Sequence, residues 1–422
     1  MKKVLIIAHY IGTRIPGLIK YLPEFGFEPI LLTTSTSSDI PLPPDIRIIK
    51  TECREIMHSW RRLLGLKSSG DLRSQVKDRI GATSRKSIID YILTLGGEVV
   101  NYPDSFKGWK SFALKAADEQ LRQEDISVLL SSSAPVTSHI ISRELKRKHS
   151  IPWVADLRDL WSQNHNYIYS PLRKWFDRKL EIGNLTAADV LVTVSQPWAE
   201  KLGTLHKGKA VYTITNGYDP DSMNLSSARM TKKFSITHTG NIYGEKQNPT
   251  KILAAISSLI SEGTMNPEDI DVRFYGTRLG WLDKDINKYG LSAIAKQYGT
   301  VPHDVAIEKQ RESQLLLLLD WDARGEKGVY PLKVFEYLGS GRPILATGGI
   351  TGNVIDGLLD RTKTGFHATN IEDVKNAIKK MYMEYKQDGK IAYHGLESEI
   401  NEYSQQKMAG RFADIFNKLA IE

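Results

Sequence analysis

Short, almost unbroken apolar runs alternate with longer amphipathic stretches along this chain, and the series occurs twice. A strand that reads as a continuous apolar run is buried on both faces, as in a parallel sheet covered by crossover helices. The first series has runs at 4–8, 29–34, 46–49, 127–130, 153–155 and 190–194. Helical periodicity lies between them at 112–122, 137–147 and 173–185, and a first helix is expected to open at Pro16. After the turn-rich Asn216-Gly217-Tyr218-Asp219-Pro220-Asp221 the pattern restarts at 234–237, 272–275, Leu315–Leu319 and 344–346, with a helix from Pro249. The expectation is an α/β chain of two Rossmann-like domains whose parallel sheets face a central cleft. Periodicity fades near 206–224, which places the N-terminal domain at 1–206 and the C-terminal domain at 207–396. A last helical stretch within 397–422 is expected to pack back on the first domain.

Composition narrows the function classes. The 422 residues are 41% hydrophobic and 25% charged, an ordinary globular balance. The single cysteine, Cys53, leaves no intramolecular disulfide, and no cleavable leader is legible, so the expected compartment is the cytoplasm. The apolar run Leu315–Leu319 ends at Asp320, far short of the roughly 20 residues that cross a bilayer. Net charge is +8, and its densest cluster lies at 60–86, which includes Arg61 and Arg62 among interleaved apolar residues. Such a segment suits anionic lipid on the inner face of a membrane or a phosphorylated acceptor; a solvated insertion is the alternative. Nucleic acid is not favoured, because neither zinc-ligand spacing nor an aromatic RNA-binding signature accompanies the charge.

Open α/β folds bind ligands outside the carboxyl ends of their strands, so the chemistry is sought in the loops there. In Gly328-Val329-Tyr330-Pro331-Leu332-Lys333-Val334-Phe335-Glu336, a glycine-containing loop enters a helix with Pro331 near its first position. The free amides of that turn suit a diphosphate, Lys333 adds a point charge, and Glu336 is placed to accept both hydroxyls of a ribose. The competing reading is a solvated Lys/Glu pair on an ordinary helix closed by Gly339 and Gly341. A second loop carries Asp156, Arg158 and Asp159 beside Leu157, Leu160 and Trp161. It holds either an internal Asp/Arg pair or a sugar-facing group in which Asp156 or Asp159 orients the acceptor hydroxyl or acts as its base. Arg14 either reaches an acceptor phosphate or lies in solvent. His139 follows Ser131-Ser132-Ser133-Ala134-Pro135 and is a further cleft candidate or a packed helix residue.

The stretch Pro331-Leu332-Lys333-Val334-Phe335-Glu336-Tyr337-Leu338-Gly339-Ser340-Gly341-Arg342-Pro343 resembles the donor-binding helix of family 4 retaining glycosyltransferases of the GT-B fold. Trp153-Val154-Ala155-Asp156-Leu157-Arg158-Asp159, Thr215-Asn216-Gly217-Tyr218-Asp219 and His238-Thr239-Gly240-Asn241-Ile242-Tyr243-Gly244 agree with it in order along the chain. The resemblance implies a transferase, typical of bacterial cell-surface polysaccharide synthesis, that takes sugar from a UDP- or GDP-linked donor with retention and without cofactor or metal. The acceptor would be a glycan or a polyprenyl-diphosphate-linked sugar, with the N-terminal domain holding the acceptor and the C-terminal domain the donor. By the same resemblance Glu336 is the second carboxylate of a Glu-x7-Glu motif. Gly328 stands where the first belongs, which leaves Glu326 as a nearby substitute. Lys246 matches a phosphate-binding lysine in the loop opened by Gly240, and Asn241 stands in place of the usual arginine, so Lys333 or Arg342 is expected to compensate. Arg158 falls where relatives carry a sugar-contacting histidine, and Gly12 where they carry a glycine-rich turn against the donor phosphate.

Other chemistries lack their residues. Neither a paired-cysteine ligand set, His-Glu-x-x-His, Gly-x-Ser-x-Gly, a Walker A loop nor Gly-x-Gly-x-x-Gly after the first strand is present. Asp320-Trp321-Asp322 reads as loop-stabilising. A nucleotide-sugar 2-epimerase or hydrolase, and a catalytically weak binding subunit of the same fold, are the alternative functions.

Overall fold

The computed structural model describes residues 1–36, 42, 46–54, 98–223, 229–323 and 325–420; the basic segment 60–86, with Arg61 and Arg62, lies outside them. The chain divides into two compact units, Met1–Ile214 with Ala409–Glu422, and Thr215–Met408.

In the first unit β1 (Lys2–Ile7), β2 (Phe27–Thr34), β3 (Arg47–Thr51), β4 (Ile126–Ser133), β5 (Trp153–Leu157), β6 (Val190–Thr193) and β7 (Ala210–Thr213) form one parallel sheet. Its order is β3-β2-β1-β4-β5-β6-β7. Val4, Leu5, Ile6 and Ile7 are fully buried, which explains the unbroken apolar run. In register, Ser131 lies beside Ala155 and Ser132 beside Asp156. The first helix is Arg14–Tyr21, so Pro16 sits inside the first turn rather than opening it; no intrahelical donor is needed there. Helices Lys110–Gln123, Thr137–His149 and Pro171–Leu185 fill the expected crossovers. Residues 409 onward belong to this unit, where Phe416 packs edge-on to Phe27 at 5.4 Å.

The second unit contains β8 (Phe234–Thr239), β9 (Ile270–Tyr275), β10 (Ala295–Gly299), β11 (Leu315–Leu319), β12 (Ile344–Thr347) and β13 (Gly365–Ala368). They pair in parallel in the order β10-β9-β8-β11-β12-β13. Alternation along β11 divides its leucines: Leu315, Leu317 and Leu319 join a core with Phe234, Ile236 and Ile256. Leu316 and Leu318 join one with Val334, Phe335 and Ile355. The single helix expected at 397–419 is two, Glu397–Asn401 and Gln405–Leu419. Between them the chain bridges to Tyr218, whose amide donates to the Tyr403 carbonyl at 3.0 Å and whose carbonyl accepts from the Gln405 amide at 2.8 Å.

Because Leu317 is fully buried, Leu317→Ala is expected to lower unfolding free energy by about 2–5 kcal/mol, measured by urea denaturation. A loss under about 1 kcal/mol would contradict a two-faced core around β11.

Candidate active site

From β8 the chain runs outward to β9 and β10, then returns to place β11 on the other side of β8. The carboxyl ends of β8 and β11 at this reversal are the usual ligand position in such sheets. Thr239, Gly240 and Asn241 leave β8 at this point. Gly240 has φ +91°, and a Cβ there would lie 3.3 Å from both Cε and Nζ of Lys333. Glycine therefore satisfies a left-handed turn and a close approach together.

The Lys333 ammonium donates to the Asn241 carbonyl at 3.0 Å and lies 3.0 Å from His238 Nε2. His238 Nδ1 is 3.0 Å from the Leu317 carbonyl, which only accepts, so Nδ1 carries the proton and Nε2 receives the ammonium. Burial, reinforced by Lys333, holds His238 well below its ordinary pKa, which keeps it neutral. Burial also pushes Lys333 down to about 8, with Glu336 pulling the other way. Glu336 lies on the same helix, its Oε1 3.0 Å from His303 Nε2 and its Oε2 accepting from Gln310 Nε2 at 3.2 Å. The hydrogen bond to Glu336 raises the His303 pKa. Buried Gln310 also donates to Thr239 Oγ1 and accepts from Ser340 Oγ, which ties the helix to the end of β8.

Several expectations change here. The helix is Lys333–Gly339, 7 residues long, so Pro331 and Leu332 form a preceding turn rather than its first positions. Their carbonyls accept from the Val334 and Phe335 amides, a tight i-to-i+3 start. Arg342 is not a phosphate cation: its Nε donates to the Arg311 carbonyl at 2.6 Å, beyond the other end of the helix. Glu326 folds back to accept the Gly328 amide at 2.8 Å. Asn241 caps the loop after β9, accepting from Thr277 Oγ1 at 2.9 Å. Lys246 is exposed in the turn Gly244–Lys246, and its carbonyl accepts from the Asp322 amide at 2.8 Å. Asp320 accepts from the Trp321 amide and Asn353, and Asp322 pairs with Lys251 at 3.0 Å, so this Asp-x-Asp braces loops. His303 and His238 were not singled out from sequence as chemical groups; only spatial proximity assigns them.

In the first unit the switch point lies between β1 and β4. Arg14 and Asp156, expected to face acceptor and sugar, instead meet each other. Arg14 Nε and Nη2 reach the two Asp156 oxygens at 3.0 and 2.8 Å, and Nη2 also donates to the Ile214 carbonyl. Ser132 Oγ donates to the same carboxylate at 2.7 Å. Both charged side chains are essentially sealed from solvent, so Asp156 is an internal anchor and not a base, and Arg14 reaches no phosphate. Arg158 bridges the loops after β1 and β4, donating to the Tyr10 and Ser133 carbonyls at 2.9 Å each. Gly12, at φ +52°, lies against it: a Cβ would come within 3.2 Å of Nη1. Asp159 is exposed beside this arrangement. His139 is packed and buried, held at Nδ1 by Ser131 Oγ at 2.7 Å, and desolvation pushes it down to about 4.

Two doubly wound parallel sheets in these orders have the GT-B fold of solved glycosyltransferases. The model of glycosyltransferase family 4 matches residues 11–222, and the chain belongs to that family. Among solved structures it is similar to sucrose-phosphate synthase from Thermosynechococcus elongatus, at 11% identity, TM-score 0.62 and 99% coverage of each chain. It is similar to Anabaena HepE in complex with UDP and glucose, at 10% identity and TM-score 0.62, covering 99% of this chain and 100% of that one. A lipopolysaccharide outer core galactosyltransferase, WaaB, matches at 12% identity and TM-score 0.58, with 99% and 100% covered. No curated protein matches the sequence significantly.

Two outcomes follow from the geometry. Asp156→Ala, which strands the buried Arg14 guanidinium, is expected to cost about 3–5 kcal/mol in denaturant unfolding, whereas exposed Asp159→Ala stays within about 0.5 kcal/mol. Equal costs would contradict the anchor. Reductively methylated protein followed by carbon NMR should show Lys333 titrating near 8, and lower in Glu336→Gln because the carboxylate favours the charged form. An ordinary lysine midpoint would contradict its burial.

Proposed function

We propose that this glycosyltransferase moves a sugar from a nucleoside diphosphate donor, UDP-linked by first preference and GDP-linked by second, to a glycan or polyprenyl-diphosphate-linked acceptor, with retention of configuration. The observation that carries the reading is the Lys333 ammonium fixed at the end of β8 within one helical turn of Glu336. A diphosphate set against Lys333, with Lys246 projecting from the same loop, brings the nucleoside ribose toward Glu336. Gly240, Asn241, Pro331 and Leu332 line that position, Gly12 is the glycine turn assigned to the donor phosphate, and Arg158 and Asp159 belong to the sugar- and acceptor-facing loop. Fixed cations neutralise the leaving diphosphate, and no metal or other cofactor takes part. UDP in solved structures of the same fold supports the base preference.

On this reading residues 1–206 hold the acceptor, residues 207–396 hold the donor, and the protein works in cell-surface polysaccharide synthesis on the cytoplasmic face of the membrane. Among the described residues no helix is long and apolar enough to cross a bilayer.

The test is a panel of UDP-, GDP-, ADP- and dTDP-sugars incubated with purified protein and chelator, with slow hydrolysis followed by proton NMR of the anomeric signal. UDP-sugar consumption that persists in chelator and first releases the donor's own anomer is expected. Consumption of no donor would contradict the enzyme reading, and acceptor-free epimerisation would reassign it.

A further inference from the structure

The helix Pro171–Leu185, between β5 and β6, carries its charges in an unusual division. Its acids, Asp177 and Glu181, are both buried. Asp177 accepts from Arg173 Nε at 3.0 Å and from the Tyr167 hydroxyl at 2.6 Å, and Glu181 accepts the Ser162 amide at 2.9 Å. Arg173 also donates to the Pro103 carbonyl at 2.6 Å. The inward face is therefore fastened by polar contacts. The outward face exposes Lys174, Arg178 and Lys179 with no acid among them.

Between these cations lie apolar side chains that a helix in water would ordinarily bury: Leu172 is 63% exposed, Trp175 54% and Phe176 47%. Trp175 and Phe176 stack edge-on at 4.9 Å, and the Lys179 ammonium lies 5.5 Å from the centre of the Trp175 ring. Large aromatic rings beside lysines on one helix face match the chemistry of a bilayer interface, apolar below and anionic at the headgroups. Placement agrees. β5 and β6 are parallel, so the helix joining them runs back antiparallel to both. Its first turns therefore stand at the carboxyl rim of the sheet, the same rim that carries Arg158 and Asp159.

We propose that the outward face of this helix docks the protein on an anionic phospholipid bilayer, which sets the acceptor-side loops at the surface where a lipid-linked acceptor resides. The proposal rests on the lipid-linked acceptor named above. It is independent of a membrane role for residues 60–86, because its contact residues lie on the helix Pro171–Leu185.

Co-sedimentation with vesicles of equal phosphatidylglycerol and phosphatidylcholine, against phosphatidylcholine alone, is the direct test. Wild type is expected to bind the anionic vesicles selectively. Trp175→Ala with Phe176→Ala should weaken binding at least about tenfold, and Lys174→Glu or Lys179→Glu about fivefold or more each, with unchanged melting temperatures. The lysine variants reverse charge at exposed side chains and leave the aromatic pair in place, so they keep the test informative if that pair proves needed for folding. Deletion of 60–86 should leave selective binding in place. Equal binding by wild type and variants would overturn the proposal. So would loss of dimer, rather than of vesicle binding, in Trp175→Ala, which would assign the face to a second copy of the chain. Vesicle binding without transfer to any polyprenyl-linked sugar would overturn the acceptor reading alone, and transfer without vesicle binding the docking alone.

Discussion

A lysine ammonium shared between a neutral histidine nitrogen and a backbone carbonyl is the contact on which the candidate site of the second unit depends. Each neighbour has a physical reason tied to it. Gly240 must lack a Cβ for Lys333 to approach, and the Leu317 carbonyl must hold the His238 Nδ1 proton so that Nε2 faces the ammonium. Gln310 and the Tyr337 hydroxyl then lock the short helix against the end of β8, the latter by accepting the Thr239 amide at 2.9 Å. A cation held this way is partly desolvated before any ligand arrives, which lowers its pKa to about 8 and strengthens its attraction for an anion.

The first unit uses charge in the opposite manner. A fully buried ion pair, Arg14 with Asp156, closes on itself and leaves nothing to offer a substrate. What it offers is position: the start of the first helix and the end of β5 are joined through it, and Arg158 adds carbonyl contacts to the end of β4 and the loop after β1. A buried pair is weak evidence of net stability, yet removal of one partner is costly, so the arrangement fixes loop geometry.

Much of this architecture was legible in the sequence because parallel strands buried on both faces leave apolar runs that polar helices interrupt. The leucine run of β11 is the clearest, since both of its faces meet a core. The strands that escaped notice, β7, β10 and β13, are half-exposed and sit at or near a sheet edge, with sequences such as Ala295-Lys296-Gln297-Tyr298-Gly299 that alternate without a run. Site chemistry was less legible. Lys333 and Glu336 stood out through local spacing, but the partners that define them come from distant segments: His303 lies 33 positions from Glu336 and His238 lies 95 from Lys333. Asp156 and Arg158 both sit where a sugar-facing group was expected, and only the position of Arg14, 142 residues from Asp156, decides that the carboxylate faces inward.

The most direct measurement is a calorimetric titration of UDP into wild-type protein and Lys333→Met at neutral pH, with melting temperatures compared in parallel. The account expects saturable binding to wild type, a loss of about a hundredfold in the variant, and little change in melting temperature. Equal affinity in the two proteins, with both folded, would contradict the assignment of Lys333 as the group that holds the donor diphosphate.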